Sequence, residues 1–200
     1  FLVGGALKVI RKTGAIDATF DVTSELRLGA RYRREAKTGR IETAADMFYR
    51  AVALPKPIDY ETNTFEGRVT YRSARFLVSG AYERSEFDNA NAALEWQNAY
   101  AGDVALGRKA LAPDNTADTF SLATRFAFDR THVNASLGWG RHEQTAALLP
   151  YTTNESLEVG PLPASRADTG ADLFSATLRV NSRLTDDWQL RFEHSTRTRD

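Results

Sequence analysis

Apolar and polar residues alternate with a period of two over many stretches of this chain, and no sustained helical stripe accompanies them. A two-residue period places successive side chains on opposite faces of a β-strand. For example, Leu26 and Leu28 share one face while Arg27 and Arg31 share the other. The alternation therefore predicts an all-β protein with about eight long strands. The predicted strands span residues 14–22, 25–35, 62–72, 75–86, 117–128, 132–142, 171–182 and 187–197.

The predicted connections alternate between very short and very long. Short links centre near Ser24, Ala74, Arg130 and Asp186. The long loops are residues 36–61, 87–116 and 143–170. Proline cannot donate to a strand ladder and is kept out of central strands. All six prolines fall in the predicted long loops: Pro55, Pro57, Pro113, Pro150, Pro161 and Pro163. Three long loops in regular succession are unusual in a compact soluble domain.

An antiparallel up-and-down transmembrane β-barrel accounts for this asymmetry, because such barrels have tight periplasmic turns and longer extracellular loops. Aromatic residues flank the predicted strands at both ends, as at a bilayer interface. They are Phe20, Tyr71, Phe76, Phe128 and Trp188 beside the short turns, and Tyr32, Tyr82 and Trp139 towards the loops. The residues expected to face lipid include Leu28, Val69, Phe76, Leu122, Leu137, Leu178 and Leu190. The alternative is a soluble β-sandwich that buries this same apolar set.

Composition narrows the functional classes. The 200 residues are expected to form one segment of a barrel domain, residues 1–200, and the chain begins at Phe1, which suggests a mature segment or an internal fragment. The 26 basic and 26 acidic residues balance, which argues against a basic nucleic-acid arm. Cysteine is absent from the sequence, so the chain has no disulfide, no thiol nucleophile and no Cys-x-x-Cys-His haem attachment.

Candidate catalytic and metal-binding residues are few. His132, His142 and His194 show no metal-ligand spacing, and no serine lies in a nucleophile motif. Oxygen-bearing loop residues do not follow a calcium-loop spacing, and turn-forming roles are the better expectation for them. They are Asp88, Asn89, Asn91, Glu95, Asp114 and Asn115. We therefore expect a protein that is not an enzyme and that binds no metal or cofactor itself.

Four ordered segments resemble landmarks of a known family. They read LPKPIDYETNTFEGRVTY (54–71), FDNANAALEWQNAY (87–100), GRKALAPDN (107–115) and LLPYTTN (148–154). Their order and spacing are similar to those of the decahaem-associated outer-membrane porins of the MtrB/PioB type. The resemblance implies an outer-membrane scaffold, longer than this chain, that sheathes a periplasmic multihaem c-type cytochrome for electron transfer. It implies contact with lipid and with that cytochrome, and with an extracellular multihaem cytochrome as a further partner. Haem would then belong to the partners.

On this interpretation the polar face of the strands lines the lumen. The residues predicted to point inward and contact an enclosed partner are Arg27, Arg31, Arg33, Arg68, Arg125, Arg179 and Arg191, with Glu66, Glu83 and Glu193 among them. Guanidinium groups suit haem propionates or acidic protein patches. The alternative is a water-filled wall whose arginines balance neighbouring carboxylates.

Two aromatic residues of the second long loop, Trp96 and Tyr100, are candidate contacts for an extracellular cytochrome, with packing inside the loop as the alternative. Two other functions stay open from the sequence. One is a general or substrate-specific diffusion porin. The other is a soluble carbohydrate-binding β-sandwich that uses loop aromatics such as Trp96.

Overall fold

The computed structural model describes residues 7–46, 51–97, 106–153 and 157–200. Its strands are β1 (Val9–Asp21), β2 (Leu26–Asp46), β3 (Ala51–Arg72), β4 (Phe76–Asn89), β5 (Ala93–Gln97), β6 (Leu106–Ala110), β7 (Asn115–Phe128), β8 (Thr131–Ala147), β9 (Arg166–Arg183) and β10 (Gln189–Arg199). Eight of them form one antiparallel sheet in the order β1-β2-β3-β4-β7-β8-β9-β10, and β5 pairs with β6 in a separate hairpin. The described residues contain no helix long and apolar enough to cross a membrane.

The strand register places the apolar residues on one face of the sheet. Leu28 lies opposite Val69, and Leu122 lies opposite both Gly80 and Leu137. Six of the seven residues predicted to face lipid are exposed by 38–49%: Leu28, Val69, Leu122, Leu137, Leu178 and Leu190. In the described part of the chain, no second sheet covers this face. The only strands there that lie outside the large sheet are those of the short β5–β6 hairpin. The partial antiparallel barrel wall is confirmed, and the sandwich alternative is wrong.

Two rows of aromatic rings border this apolar belt on the outward face. The loop-end row comprises Tyr32, Phe65, Tyr82, Phe120, Trp139 and Phe174. The turn-end row comprises Phe20, Tyr71, Phe76, Phe126, Phe128 and Trp188. Phe120 and Phe128 are separated by about 26 Å along β7, or about 20 Å at the usual strand tilt. This height suits the thin hydrocarbon layer of a bacterial outer membrane.

The short turns lie where the sequence predicts them, between β1 and β2, β3 and β4, β7 and β8, and β9 and β10. The tightest connection leaves only Asp129 and Arg130 between β7 and β8. Asp129 has a positive φ of 30° there. Short hairpin turns require left-handed backbone, and aspartate tolerates it better than most residues.

The prediction of a long loop at residues 36–61 is wrong, because β2 continues to Asp46 and β3 begins at Ala51. Pro55 and Pro57 therefore lie inside β3, opposite Glu42 and Arg40. Arg40 donates its backbone N–H to Lys8, away from β3. In an antiparallel pair the residue opposite such a position also points its own backbone away from the partner strand. The missing N–H groups of both prolines thus face the unpaired side of β3, where no ladder bond is lost.

The second long loop contains regular structure that the sequence analysis missed. The β5–β6 hairpin interrupts residues 87–116, and the third loop is shortened by the extended ends of β8 and β9. The other four prolines do lie outside strands.

The buried apolar side chains of the described residues are Ala45, Ile58 and Leu111, all at the loop end of the sheet. Asn89 Nδ2 donates to the Ala112 carbonyl at 2.7 Å, and Lys109 Nζ donates to Thr43 Oγ1 at 3.5 Å. Thr43 is on the same face of β2 as Arg31 and Arg33. The hairpin segment therefore contacts that face of β2 in the part of the strand that continues beyond its predicted end.

Candidate functional site

The face opposite the apolar belt is polar, and it carries all seven arginines predicted to point inward. The register places Arg125, Asn134, Arg179 and Glu193 in one row across four strands. A second row joins Asp17 and Arg31 to Glu66 and Glu83. Arg27, Arg33, Arg68 and Arg191 lie on the same face by the two-residue period of their strands. The structure therefore brings the seven together on one wall, which we call the inner wall.

Six of these arginines are paired with carboxylates that belong to the wall itself. The pairs are Arg27–Asp21 (2.6 Å), Arg31–Asp17 (3.3 Å), Arg33–Glu35 (3.0 Å), Arg68–Glu66 (2.5 Å), Arg179–Glu193 (2.9 Å) and Arg191–Glu193 (3.9 Å). All six arginine side chains are about half exposed or more. Exposed pairs of this kind add little to stability, because solvent screens their attraction. Their main effect is to hold each guanidinium in place, with its remaining N–H groups available to a ligand.

Arg125 differs from the other six, because no carboxylate pairs with it among the described residues. It borders a shallow depression of about 290 Å³ on the inner wall, together with Asn134, Ser136 and Thr177. Arg179 lines the same depression from β9. This spot therefore combines an unpaired cation with neutral hydrogen-bonding groups and suits a carboxylate or another anion.

Sequence reasoning missed several charges of the inner wall. Asp17, Asp21 and Glu35 add carboxylates to the three glutamates that were predicted there. Further basic residues at inward positions are Arg11, Lys37, Arg183, Arg197 and Arg199. Strand parity alone would have identified those inside the predicted strands, namely Asp17, Asp21, Glu35 and Arg197, whereas Arg11, Lys37, Arg183 and Arg199 also required the true strand ends. Basic residues still outnumber acidic ones on this face, so the wall favours an acidic partner.

The two predicted loop contacts have different outcomes. Tyr100 lies outside the described residues. Trp96 lies on β5 and packs across the hairpin, since a Cβ atom added to Gly107 would come within 2.2 Å of its ring. Glu95 and Arg108 pair beside it at 2.6 Å. These contacts support packing within the loop as the role of Trp96.

The remaining candidate ligands are spread over the sheet. His132 and His142 lie on the inner wall, whereas His194 lies opposite Leu178 on the outward face. Three or more potential metal-binding side chains do not come together anywhere in the described residues. Asp114 accepts the backbone N–H of Asn89 at 2.7 Å, so this loop carboxylate shapes the connection before β7.

Beyond the loop-end aromatic row, the outward face becomes charged. Arg84, Asp118, Arg141 and Asp172 lie opposite one another in a continuous row across β4, β7, β8 and β9. We call these four residues the charged row. Each is two positions from an aromatic residue of the loop-end row, on the side of that residue nearer the loops, and so it lies just outside the apolar belt.

The same change in character occurs on β2 and β3. Glu61 is four residues beyond Phe65, well outside the belt, and it pairs with Arg34 at 2.6 Å. Hydrogen bonds from Asn63 and from Arg34 hold the pKa of the Glu61 carboxyl below its usual value. Glu61 therefore stays ionised over the ordinary pH range and keeps this part of the surface hydrated.

Comparisons with known proteins agree with this geometry. The chain is 28% identical over 172 residues to the outer membrane protein MtrB of Shewanella baltica strain OS185, covering 84% of this chain. The chain spans about a quarter of that relative's length, 24%. Among solved structures, it superposes on the ferric-catecholate import receptor Fiu of Escherichia coli K12 with a TM-score of 0.51. That match covers 94% of this chain and 35% of the receptor at 10% identity, and it shows the fold alone.

Residues 5–200 match the family described as outer membrane beta-barrel porin, MtrB/PioB. The match includes every strand of the sheet, the aromatic rows and the inner wall. It also agrees with the outer-membrane location expected from the alternating strands. This chain belongs to the MtrB/PioB family of outer-membrane β-barrel porins.

Proposed function

We propose that this chain forms part of the wall of a porin that sheathes a multihaem c-type cytochrome and lets electrons cross the outer membrane. The chain acts as a scaffold and insulator in this proposal, without catalysis of its own. Haem is carried by the partner cytochromes, one periplasmic and enclosed, and a further one at the extracellular side. The inner arginines and the loop end of the barrel are the proposed contact surfaces.

The observation that carries the proposal is the basic inner wall behind a lipid-facing belt. Ion pairs hold six of its arginines, and no carboxylate of the described residues pairs with Arg125. Such a surface recognises propionates or acidic patches at modest cost, because the guanidinium groups are already ordered. The name of the Shewanella relative, outer membrane protein MtrB, is consistent with this role.

The test uses the full-length protein and its native membrane. Affinity purification in mild detergent is expected to recover a haem-staining cytochrome in a fixed ratio to the porin. Liposomes containing both proteins and an internal redox dye should exchange electrons with an external donor, whereas liposomes containing either protein alone should not. A full-length porin that purifies without any cytochrome, or equal dye reduction without the porin, contradicts the proposal.

A diffusion porin is the second candidate, and the ion pairs of the inner wall favour it. A wall on which six of the seven predicted arginines are paired with carboxylates is compatible with a water-filled lumen through which solutes pass. Single-channel conductance of the purified porin distinguishes the two functions. A sheath filled by a cytochrome should conduct ions weakly until the cytochrome is removed, whereas a diffusion porin conducts as isolated.

A further inference from the structure

Glu83 is the exception among the carboxylates of the inner wall. The other inward carboxylates of the described strands each form an ion pair with an arginine: Asp17, Asp21, Glu35, Glu66 and Glu193. Glu83 is exposed on β4, and among the described residues no cation and no hydrogen-bond donor pairs with its side chain. The wall therefore has one negative charge that its own described residues leave free.

The residues across the sheet from Glu83 do not supply a cation. Glu83 lies opposite Glu66 on β3 and opposite Thr119 on β7. Arg68, two positions from Glu66, pairs with Glu66 at 2.5 Å. Like charges directly opposite one another destabilise a pair of strands. A cation supplied from outside the wall would relieve this repulsion.

Arg125 is a free cation at the turn end of the neighbouring strand. It lies opposite Leu77, which is six residues before Glu83 on β4. Arg125 and Glu83 are thus about 20 Å apart along the strands. Glu83 is adjacent to Tyr82 of the loop-end aromatic row. Arg125 is adjacent to Phe126 of the turn-end row. The two free charges of opposite sign therefore lie near the two ends of the apolar belt, on its inner side.

Small, neutral side chains cover the inner wall between these two charges. The inward positions there are Ser79 and Ala81 on β4, Ser121 and Ala123 on β7, and Ser136 and Gly138 on β8. The surface of a folded partner can approach the sheet closely at such positions. A partner that lies against this part of the wall is within reach of both Arg125 and Glu83.

We propose that Glu83 and Arg125 fix the axial position of the enclosed cytochrome. Glu83 pairs with a lysine or arginine of that partner, and Arg125 pairs with a carboxylate about 20 Å away along the barrel. The inference rests on the proposed function, because it names two contacts of the partner that the wall encloses. Opposite charges at two levels accept one orientation, since a partner turned end for end would bring like charges together.

The sign of the Glu83 charge separates this proposal from general attraction of an acidic partner. A basic wall that only attracts negative charge binds more tightly when one of its carboxylates is removed. In that case Glu83 opposes binding. In the proposal Glu83 contributes to binding, so its removal has the opposite effect.

The experiment measures the apparent Kd between the full-length porin and its co-purified haem protein, after salt elution and readdition. E83Q removes the free carboxylate. E66Q is the matched control, because it removes the same charge from the residue directly opposite, where Arg68 already forms an ion pair. Heat-modifiable mobility on gels shows that each variant is folded.

We expect E83Q to weaken binding by about three- to tenfold, through loss of a charge-assisted contact. E66Q should leave binding unchanged or tighten it, since it releases Arg68 towards an acidic partner. Unchanged or tighter binding in E83Q overturns the proposal, and so does an equal loss in E66Q. The haem protein still co-purifies in both results, so the proposed function is unaffected. Absence of any haem protein from the wild-type porin overturns both.

A second measurement reports the position of the partner directly. Photo-crosslinking residues are placed one at a time at Ser85, next to Glu83 on the inner face, and at Ser79, near Arg125. Ser85 should label one peptide of the haem protein that contains lysine or arginine. Ser79 should label a different peptide, with an acidic residue or a haem attachment, which tells a side-chain carboxylate from a propionate. The same peptides at both positions, or unchanged labelling in E83Q/R125Q, refute a fixed axial position.

Discussion

Single residues decide where the backbone of this sheet can bend and come close to its neighbours. Gly39 has a φ of +141°, and a Cβ atom there would come within 2.0 Å of the Lys8 carbonyl. Gly14, on the neighbouring strand, has open space around it. The geometry therefore demands glycine at position 39 but not at position 14.

Gly39→Ala is expected to open the far end of the β1–β2 ladder at a local cost of about 1–3 kcal/mol. Hydrogen exchange of the full-length porin checks this, because the Arg40 amide that bonds Lys8 should lose about tenfold or more of its protection. Gly14→Ala serves as the control and should leave exchange unchanged. Undiminished protection in Gly39→Ala would show that the close approach to Lys8 is absent.

The two faces of a strand should respond in opposite ways to charge. Leu137→Arg puts a guanidinium into the apolar belt and is expected to destabilise the folded barrel by about 2–4 kcal/mol. Ser121→Arg, on the inner face of the adjacent strand, should cost much less because that side chain enters the polar lumen. Urea titration of the folded, heat-modifiable form measures both. Similar midpoints for the two variants would contradict the assignment of faces.

At the level of strands, the sequence predicts what depends on local alternation and misses what depends on distant partners. The alternation around Leu137 and the short turn at Asp129 are both readable from neighbouring residues. Pro55 and Pro57 misled the prediction, because their place in β3 depends on which side of that strand is unpaired. Predicting the pairing of Arg31 with Asp17 would have required the register between β1 and β2, which local alternation does not determine.

The β5–β6 hairpin was missed because its strands have only five residues each, too few for a clear period. In this hairpin the ring of Trp96 lies over Gly107. Gly107→Ala is expected to displace that ring and loosen the hairpin, since the added Cβ atom overlaps the indole.

Limited proteolysis of intact cells checks the Gly107 variant, with faster cleavage in residues 93–110 as the expected result. Gly160→Ala is a suitable control because it lies in another connection with open space around it. An unchanged cleavage rate in Gly107→Ala would exclude a supporting role for the Trp96 contact.

For the molecule as a whole, the inner wall determines what the barrel encloses. Its arginines differ in whether a carboxylate of the wall already forms an ion pair with them. Arg125→Gln should weaken retention of an enclosed acidic partner by about three- to tenfold, since it removes a cation that no carboxylate in the described part of the chain pairs with. Arg27→Gln should have a smaller effect, because Asp21 already pairs with Arg27 at 2.6 Å.

Salt-dependent elution of the haem protein from the immobilised full-length porin measures both variants. The Arg125 variant is expected to release it at lower ionic strength than the Arg27 variant. The reverse order would mean that the partner displaces wall carboxylates instead of using the unpaired arginine.

Beyond Lys37, the last inward-facing charge of β2, the β2–β3 ribbon extends past both the aromatic row and the charged part of the inner wall. From Lys37 to Asp46, β2 runs about 30 Å along its own axis. On a living cell an antibody or a bacteriophage would reach this projection before any embedded portion of the barrel. Its outward side chains are consequently the ones that such a particle would meet first, whereas Ala45 and Ile58 of the same ribbon are buried.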